Sequence, residues 1–300
     1  MATRVVQWRE AVDPADLREY DAFGPWIYPV RSAAELPRRF RRYWADLAYA
    51  ELLLKIPRDR DRSQIQPGDD LYHSVLAVFP ERLQVLRAEV PDAGEVERLD
   101  VRFTEVVGVV TTANLLQGQW TLLLRNGRRL DVPHPATGGD VMEQVSDLIR
   151  PRISGPERRL PTTGQLQPRD HLFGVHLAAL ADRFGSALAL HVDPRKAPCR
   201  GGFGWPKVST GTMIVFTPTE LVIVNRGEAA RPVFMPNYEV GTVELPYSRL
   251  ESFAVRPPAR WSSFHQLVLR SGMQDYVQLC LNPPDAVAAQ LRLLEFLEDI

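Results

Sequence analysis

Val78-Phe79-Pro80-Glu81-Arg82-Leu83-Gln84-Val85-Leu86 and Phe216-Thr217-Pro218-Thr219-Glu220-Leu221-Val222-Ile223-Val224 carry a proline, then a leucine three positions on, at an offset of 218 − 80 = 138. A proline between two apolar, alternating runs reads as a turn joining two strands, because it cannot donate to a sheet ladder. Working outward, Leu99-x-Val101-x-Phe103 matches Val243-x-Leu245-x-Tyr247 at an offset of 144. Leu122-Leu123-Leu124-Arg125-Asn126-Gly127 matches Leu267-Val268-Leu269-Arg270-Ser271-Gly272 at 145, and Val141, Val145 and Leu148 match Val287, Leu291 and Leu294 at 146. The order of the matches is never violated and the drift asks only for small loop insertions, so duplication is the simplest account.

Within the first copy, period-two or continuous apolar runs predict strands near 51–56, 71–78, 83–89, 98–107, 109–113, 120–125 and 129–132. Asn126-Gly127 predicts a two-residue hairpin turn, since both positions tolerate positive φ. A helix follows, with Asp140 and Glu143 spaced as a capping box and Val141, Val145 and Leu148 on one face. The second copy predicts strands near 187–192, 212–216, 221–226, 241–247, 250–256, 265–270 and 275–281, then a helix from Asp285 carrying Val287, Leu291, Leu294 and Leu297. Between the copies, residues 151–168 hold four prolines and two glycines, as a connection does. Phe173, Leu177, Leu180 and Phe184 then fall at helical spacing before Gly185.

About seven antiparallel strands followed by one amphipathic helix, met twice, resembles the pleckstrin-homology-like (PH-like) fold, and more closely its bacterial members. The resemblance covers about 48–150 and 186–300 and rests on the paired segments above. It implies an α+β chain of two tandem PH-like, partly open β-barrels, each closed by its C-terminal α-helix. The organisation would be an N-terminal segment (1–47), domain 1 (48–150), a linker with a helix (151–185) and domain 2 (186–300). Domains of this kind bind protein segments, self-associate in bacterial examples, or hold phospholipid headgroups. The implied role is a non-catalytic adaptor or scaffold in a bacterial cytoplasm, with a protein partner or a second copy ahead of anionic lipid, and with no cofactor.

Composition agrees with that class. The chain has 300 residues, 45% of them hydrophobic and 24% charged, enough for two cores. Thirty-six Lys+Arg against 37 Asp+Glu argues against nucleic acid, because affinity for polyphosphate comes mainly from summed charge. No apolar run reaches the roughly 18 residues of a membrane span, and the start lacks the apolar core of a signal peptide. Cys199 and Cys280 are too few for a disulfide framework.

Members of the PH-like family that hold phosphoinositides use basic residues after the first strand. The matching stretches here supply Lys55, Arg58, Arg60 and Arg62, and Arg195, Lys196, Arg200 and Lys207, as anion or lipid candidates. Guanidinium forks suit phosphate, although Asp59 and Asp61 interrupt the first stretch and favour a solvated loop of mixed charge there. Arg38-Arg39-Phe40-Arg41-Arg42-Tyr43-Trp44 offers Arg38, Arg39, Arg41 and Arg42 to a partner, with the alternative that the aromatics pack inward and the arginines face water. Phe203 and Trp205, in a glycine-rich loop that lacks the pattern of a phosphate loop, are further partner-contact candidates. An enzyme using Cys199 with His191 or His176 is the remaining alternative, without a motif to support it. The six histidines show no zinc-ligand spacing, so no metal is expected.

Overall fold

The computed structural model describes residues 12–88, 95–160, 168, 171–193, 198–200, 206–208, 211–226, 231–232, 240–256, 265–271, 274–281 and 294. The chain is α+β with antiparallel sheets, and it divides into two compact units. The first comprises Met1–Thr104, Leu116–Gly118 and Pro133–Ile149; the second comprises Glu105–Leu115, Gln119–Val132 and Arg150–Ile300.

In the first unit, helix α1 (Pro14–Ala22) begins where the Asp13 carboxylate accepts the Ala15 amide at 2.7 Å, with Pro14 needing no donor at the first position. Strand β1 (Tyr28–Pro29), a 3-10 segment (Arg38–Tyr43) and the single turn of α2 (Trp44–Leu47) lead into β2 (Leu52–Pro57), β3 (Tyr72–Val78), β4 (Arg82–Arg87) and β5 (Glu97–Arg102). The five strands pair in sequence order, which leaves β5 at one edge. One face sets Leu53, Val75, Ala77 and Leu86 in a cluster with Leu36, Phe40 and Leu47 of the preceding segment. The other face buries Leu54, Ile56, Leu76, Leu83 and Val85, as the period of two requires.

Strands β6 (Val106–Ala113), β7 (Gln117–Leu124) and β8 (Arg129–Pro135) come next, then helices α3 (Gly139–Ile153) and α4 (His171–Phe184). They are followed by β9 (Leu188–Asp193), β10 (Pro198–Arg200), β11 (Pro206–Val208), β12 (Thr212–Phe216), β13 (Glu220–Asn225), β14 (Arg231–Pro232) and β15 (Val240–Pro246). The last strands are β16 (Ser252–Arg256), β17 (His265–Ser271) and β18 (Gln274–Leu281). A seven-stranded sheet runs β8-β7-β6-β15-β13-β12-β9, with three-stranded sheets β10-β11-β14 and β16-β17-β18 beside it. One face of the long sheet clusters Leu190, Ile214, Phe216, Leu221, Ile223 and Leu245 with Leu267 and Leu269 of β17. The opposite face clusters Met213, Val215, Val222 and Val224 with Phe173, Leu177 and Leu180 of α4.

The hairpins β3–β4 and β12–β13 close with the same bond, Phe79 N to Arg82 O at 2.8 Å and Thr217 N to Glu220 O at 3.0 Å. Phe103 N donates to Glu81 O and Tyr247 N to Thr219 O. Leu83 lies opposite Val101 as Leu221 lies opposite Leu245, so the ladders recur at 138 on one strand and 144 on the next.

Several expectations change. Two separate barrels would give each copy its own sheets, but the long sheet draws on both: Val109 to Ala113 of β6 lie opposite Glu244 to Val240 of β15. Each of those strands would otherwise be an edge with unpaired backbone groups, and pairing satisfies both rows. Asp140 does not cap α3. It lies inside the first turn, preceded by the 3-10 turn Ala136–Gly138, where its charge complements the helix dipole. Asn126-Gly127 is not a two-residue turn either; Leu124 N donates to Arg128 O and Gly127 N to Leu124 O, with only a glycine at φ +80° closing the three-residue loop. The helix expected from Asp285 lies outside the described residues, save for the helical Leu294.

Candidate functional site

The basic residues after β2 are held by the protein itself. Arg58 donates through Nη2 to Asp70 Oδ2 at 2.8 Å, through Nε to Asp70 O at 3.1 Å, and also to Ala88 O. Arg39, from the run expected to face water, donates to the same Asp70 Oδ2 at 2.8 Å, so two guanidinium groups converge on one buried carboxylate. Lys55 donates to Glu35 O at 3.1 Å and sits 4.8 Å from the centre of the Tyr72 ring. Burial pulls its ammonium below the usual lysine range, against the opposing pull of Glu19 and Glu35. Arg62 donates to Phe23 O and stacks 5.1 Å from the Tyr20 ring, while Arg60 faces Asp69 at 3.7 Å.

The remaining partner-contact arginines are engaged more loosely. Arg38 reaches Asp16 at 3.3 Å and Gly68 O at 2.8 Å, Arg41 donates to Leu36 O at 3.0 Å, and Arg42 lies over Tyr43 at 4.8 Å. Phe40 is buried, with Tyr43 and Trp44 packed against the same cluster, so the aromatics anchor this segment. Of the second basic stretch, Arg195 and Lys196, like Phe203 and Trp205, lie outside the described residues. Arg200 and Lys207 lie on the β10–β11 ladder, where Cys199 is opposite Lys207.

A charge cluster that sequence reading passed over occupies the second unit. Glu220 of β13 and Glu244 of β15 have side chains only 1% and 6% exposed. Arg150, from the end of α3, approaches Glu220 Oε1 at 2.6 Å and Glu244 Oε2 at 3.0 Å; Arg183 of α4 reaches Glu244 Oε1 at 2.7 Å. Both guanidinium groups also lie over the Phe184 ring, at 4.5 and 5.5 Å. Burial, reinforced by the neighbouring Glu244 charge, pushes the Glu220 carboxyl up to about 8 against the pull of the two arginines. The signal available in the sequence was the repeat itself, which places Glu220 where the first copy has Arg82.

A proton-holding carboxyl invites an acid–base role, but one cleft among the described residues of this unit does not reach it. That cleft, about 180 Å³ and open to solvent, is lined by Val107, Leu245, Arg249, Leu250 and Leu269 among others. Leu245 points to the face opposite Glu244, since neighbouring strand residues alternate. The ion pairs of Glu220 and Glu244 tie the end of α3 and α4 to the Glu244 face of the sheet.

At the β6–β7 hairpin tip Leu115 and Leu116 are 68% and 82% exposed. At the sheet edges, the β6–β15 joint shows how an edge is filled. Gly108 and Gly241 let the two strands approach; a Cβ at Gly108 would come within 2.6 Å of Leu245 and 2.9 Å of the Glu244 carbonyl. Among the described residues no three His, Cys, Asp or Glu side chains gather as metal ligands, and no helix is long and apolar enough to cross a membrane. Compared with models of known families and with curated proteins, the chain matches none.

Proposed function

We propose that the chain is a non-catalytic adaptor built from two tandem PH-like modules, acting in a bacterial cytoplasm by binding protein segments or further copies of itself. The observation that carries this reading is the five-residue antiparallel joint between β6 and β15, in which strands from the two copies add edge to edge. The recurrence of hairpin and ladder bonds at offsets of 138 and 144 supports the modular part of the reading. Engagement of Lys55, Arg58 and Arg62 with protein acceptors favours protein over lipid at the first basic loop.

Light scattering on the purified protein, together with sizing of its complex in native extract, tests the proposal. A mass above that of one chain in either setting is expected; a lone monomer in both overturns the adaptor reading. Salt-sensitive co-sedimentation with anionic vesicles, lost on Arg195→Glu, Lys196→Glu and Arg200→Glu, would transfer the reading to a membrane headgroup.

A further inference from the structure

The strand pairing inside the chain uses one edge from each copy, and by the same repeat the complementary two edges end their sheets among the described residues. β6 pairs with β15; their counterparts at an offset of 144 are β16 and β5. Both counterparts end their sheets, β5 in β1-β2-β3-β4-β5 and β16 in β16-β17-β18. We propose that β16 of one molecule pairs antiparallel with β5 of a second copy, reproducing between chains the joint that β6 and β15 make within one; this rests on the adaptor reading above and deepens it.

The internal register dictates the external one. Val109 opposite Glu244 becomes Phe253 opposite Asp100, and Val110 opposite Val243 becomes Ala254 opposite Leu99. Thr111 opposite Thr242 becomes Val255 opposite Arg98, and Thr112 opposite Gly241 becomes Arg256 opposite Glu97. The last pair sets opposite charges directly across the ladder, where like charges would oppose pairing, and Glu97 would there be shared between Arg256 and the Arg87 it already faces at 3.8 Å. At the other end Ser252 stands where the internal joint has Gly108; Val101 is one carbon shorter than the Leu245 that crowds Gly108, but a Cβ there still meets the opposing backbone carbonyl, so the external ladder ends at Phe253 opposite Asp100. The charges on β5 blunt it against unrelated strands, as edge strands commonly are, and leave it selective for an edge carrying the matching arginine. Because β5 and β16 are different surfaces, the contact is heterologous, so copies join head to tail into a ring or an open filament.

Chains with Cys199→Ser and Cys280→Ser, carrying either Leu99→Cys or Ala254→Cys, test this under mild oxidation. Disulfide-linked dimer is expected only when the two are mixed, and a chain bearing both substitutions should give a multimer ladder or a closed ring. In light scattering, Glu97→Arg and Arg256→Glu should each abolish association, and an equimolar mixture should restore it. Crosslinking of either single-cysteine chain alone, none in the mixture, or a wild-type monomer at its highest soluble concentration overturns the joint. Association that persists in Glu97→Arg also overturns it while leaving self-association through another surface intact. A complex with a different protein found beside a wild-type monomer keeps the adaptor reading and ends this one.

Discussion

Arg82 with Asp100 in the first copy and Glu220 with Glu244 in the second occupy the same diagonal of the same two strands, yet they solve opposite electrostatic problems. Arg82 reaches Asp100 at 3.0 Å with both side chains more than a third exposed, and Gln84 and Arg98 share the carboxylate. Two acids at the counterpart position would repel each other, and they are also buried; two arginines from outside the sheet make the arrangement tenable. What differs is the cover. In the first unit the segment from Leu36 to Leu47 covers the apolar part of that face and meets the charged corner through Asp46, 3.1 Å from Arg98. In the second, α4 lies over the face and its Arg183 meets Glu244. A duplicated hairpin can thus keep its backbone while its outer corner turns from a solvated ion pair into a helix anchor.

Removing the anchor should produce the largest difference. Arg150→Met leaves Glu220 without its nearest cation and Glu244 with Arg183 alone; in urea titration above about pH 8, where Glu220 is ionised, it should destabilise the fold by about 3–5 kcal/mol, and a loss no larger than that of a surface pair would show that the corner is not an anchor. A pH series separates the two corners next. Unfolded, Glu220 titrates near its ordinary value of 4.5, whereas in the fold it holds its proton to about 8. The folded chain binds the proton more tightly over that interval, so this stabilisation is complete at pH below about 4.5 and is lost as pH rises through about 8. Glu220→Gln keeps the neutral shape and should flatten that slope in thermal melts compared with wild type; an unchanged slope would place the titration elsewhere. The smallest effect belongs to the first copy, where Arg82→Met should cost no more than about 1 kcal/mol, as exposed pairs do. A loss comparable to that of Arg150→Met would erase the distinction.

Most of the longer strands were legible because their cores impose a period of two and their turns carry proline or glycine: 212–216 was expected and β12 is Thr212–Phe216, whereas the single strand expected at 98–107 is split by the 3-10 turn Phe103–Glu105 into β5 and the start of β6. Strands β1, β10, β11 and β14, of two or three residues each, are too short to leave a period. The β6–β15 joint was not legible, since Thr111 and Thr112 alternate as in any strand and nothing local says which edge will meet them. Nor did the sequence separate Arg58 and Arg39, drawn inward by Asp70, from loop cations that face water. The covers were legible only in part, through Phe40, Tyr43 and Trp44, whose inward packing was the alternative to partner contact. The N-terminal segment and the linker helix lay outside the family resemblance, yet each packs on the face of its own sheet that bears Leu86 in one copy and Val224 in the other, counterparts at an offset of 138.

Sharing a sheet between copies also sets a timetable for biosynthesis. The last β6 residue in the joint, Ala113, leaves the ribosome 240 − 113 = 127 residues before its partner Val240, a wait of roughly 6–25 s at elongation rates of about 5–20 residues per second. Throughout that interval the nascent polypeptide presents a row of unsatisfied amides and carbonyls. The order of synthesis therefore lets the first half complete its sheet only once the second half has emerged.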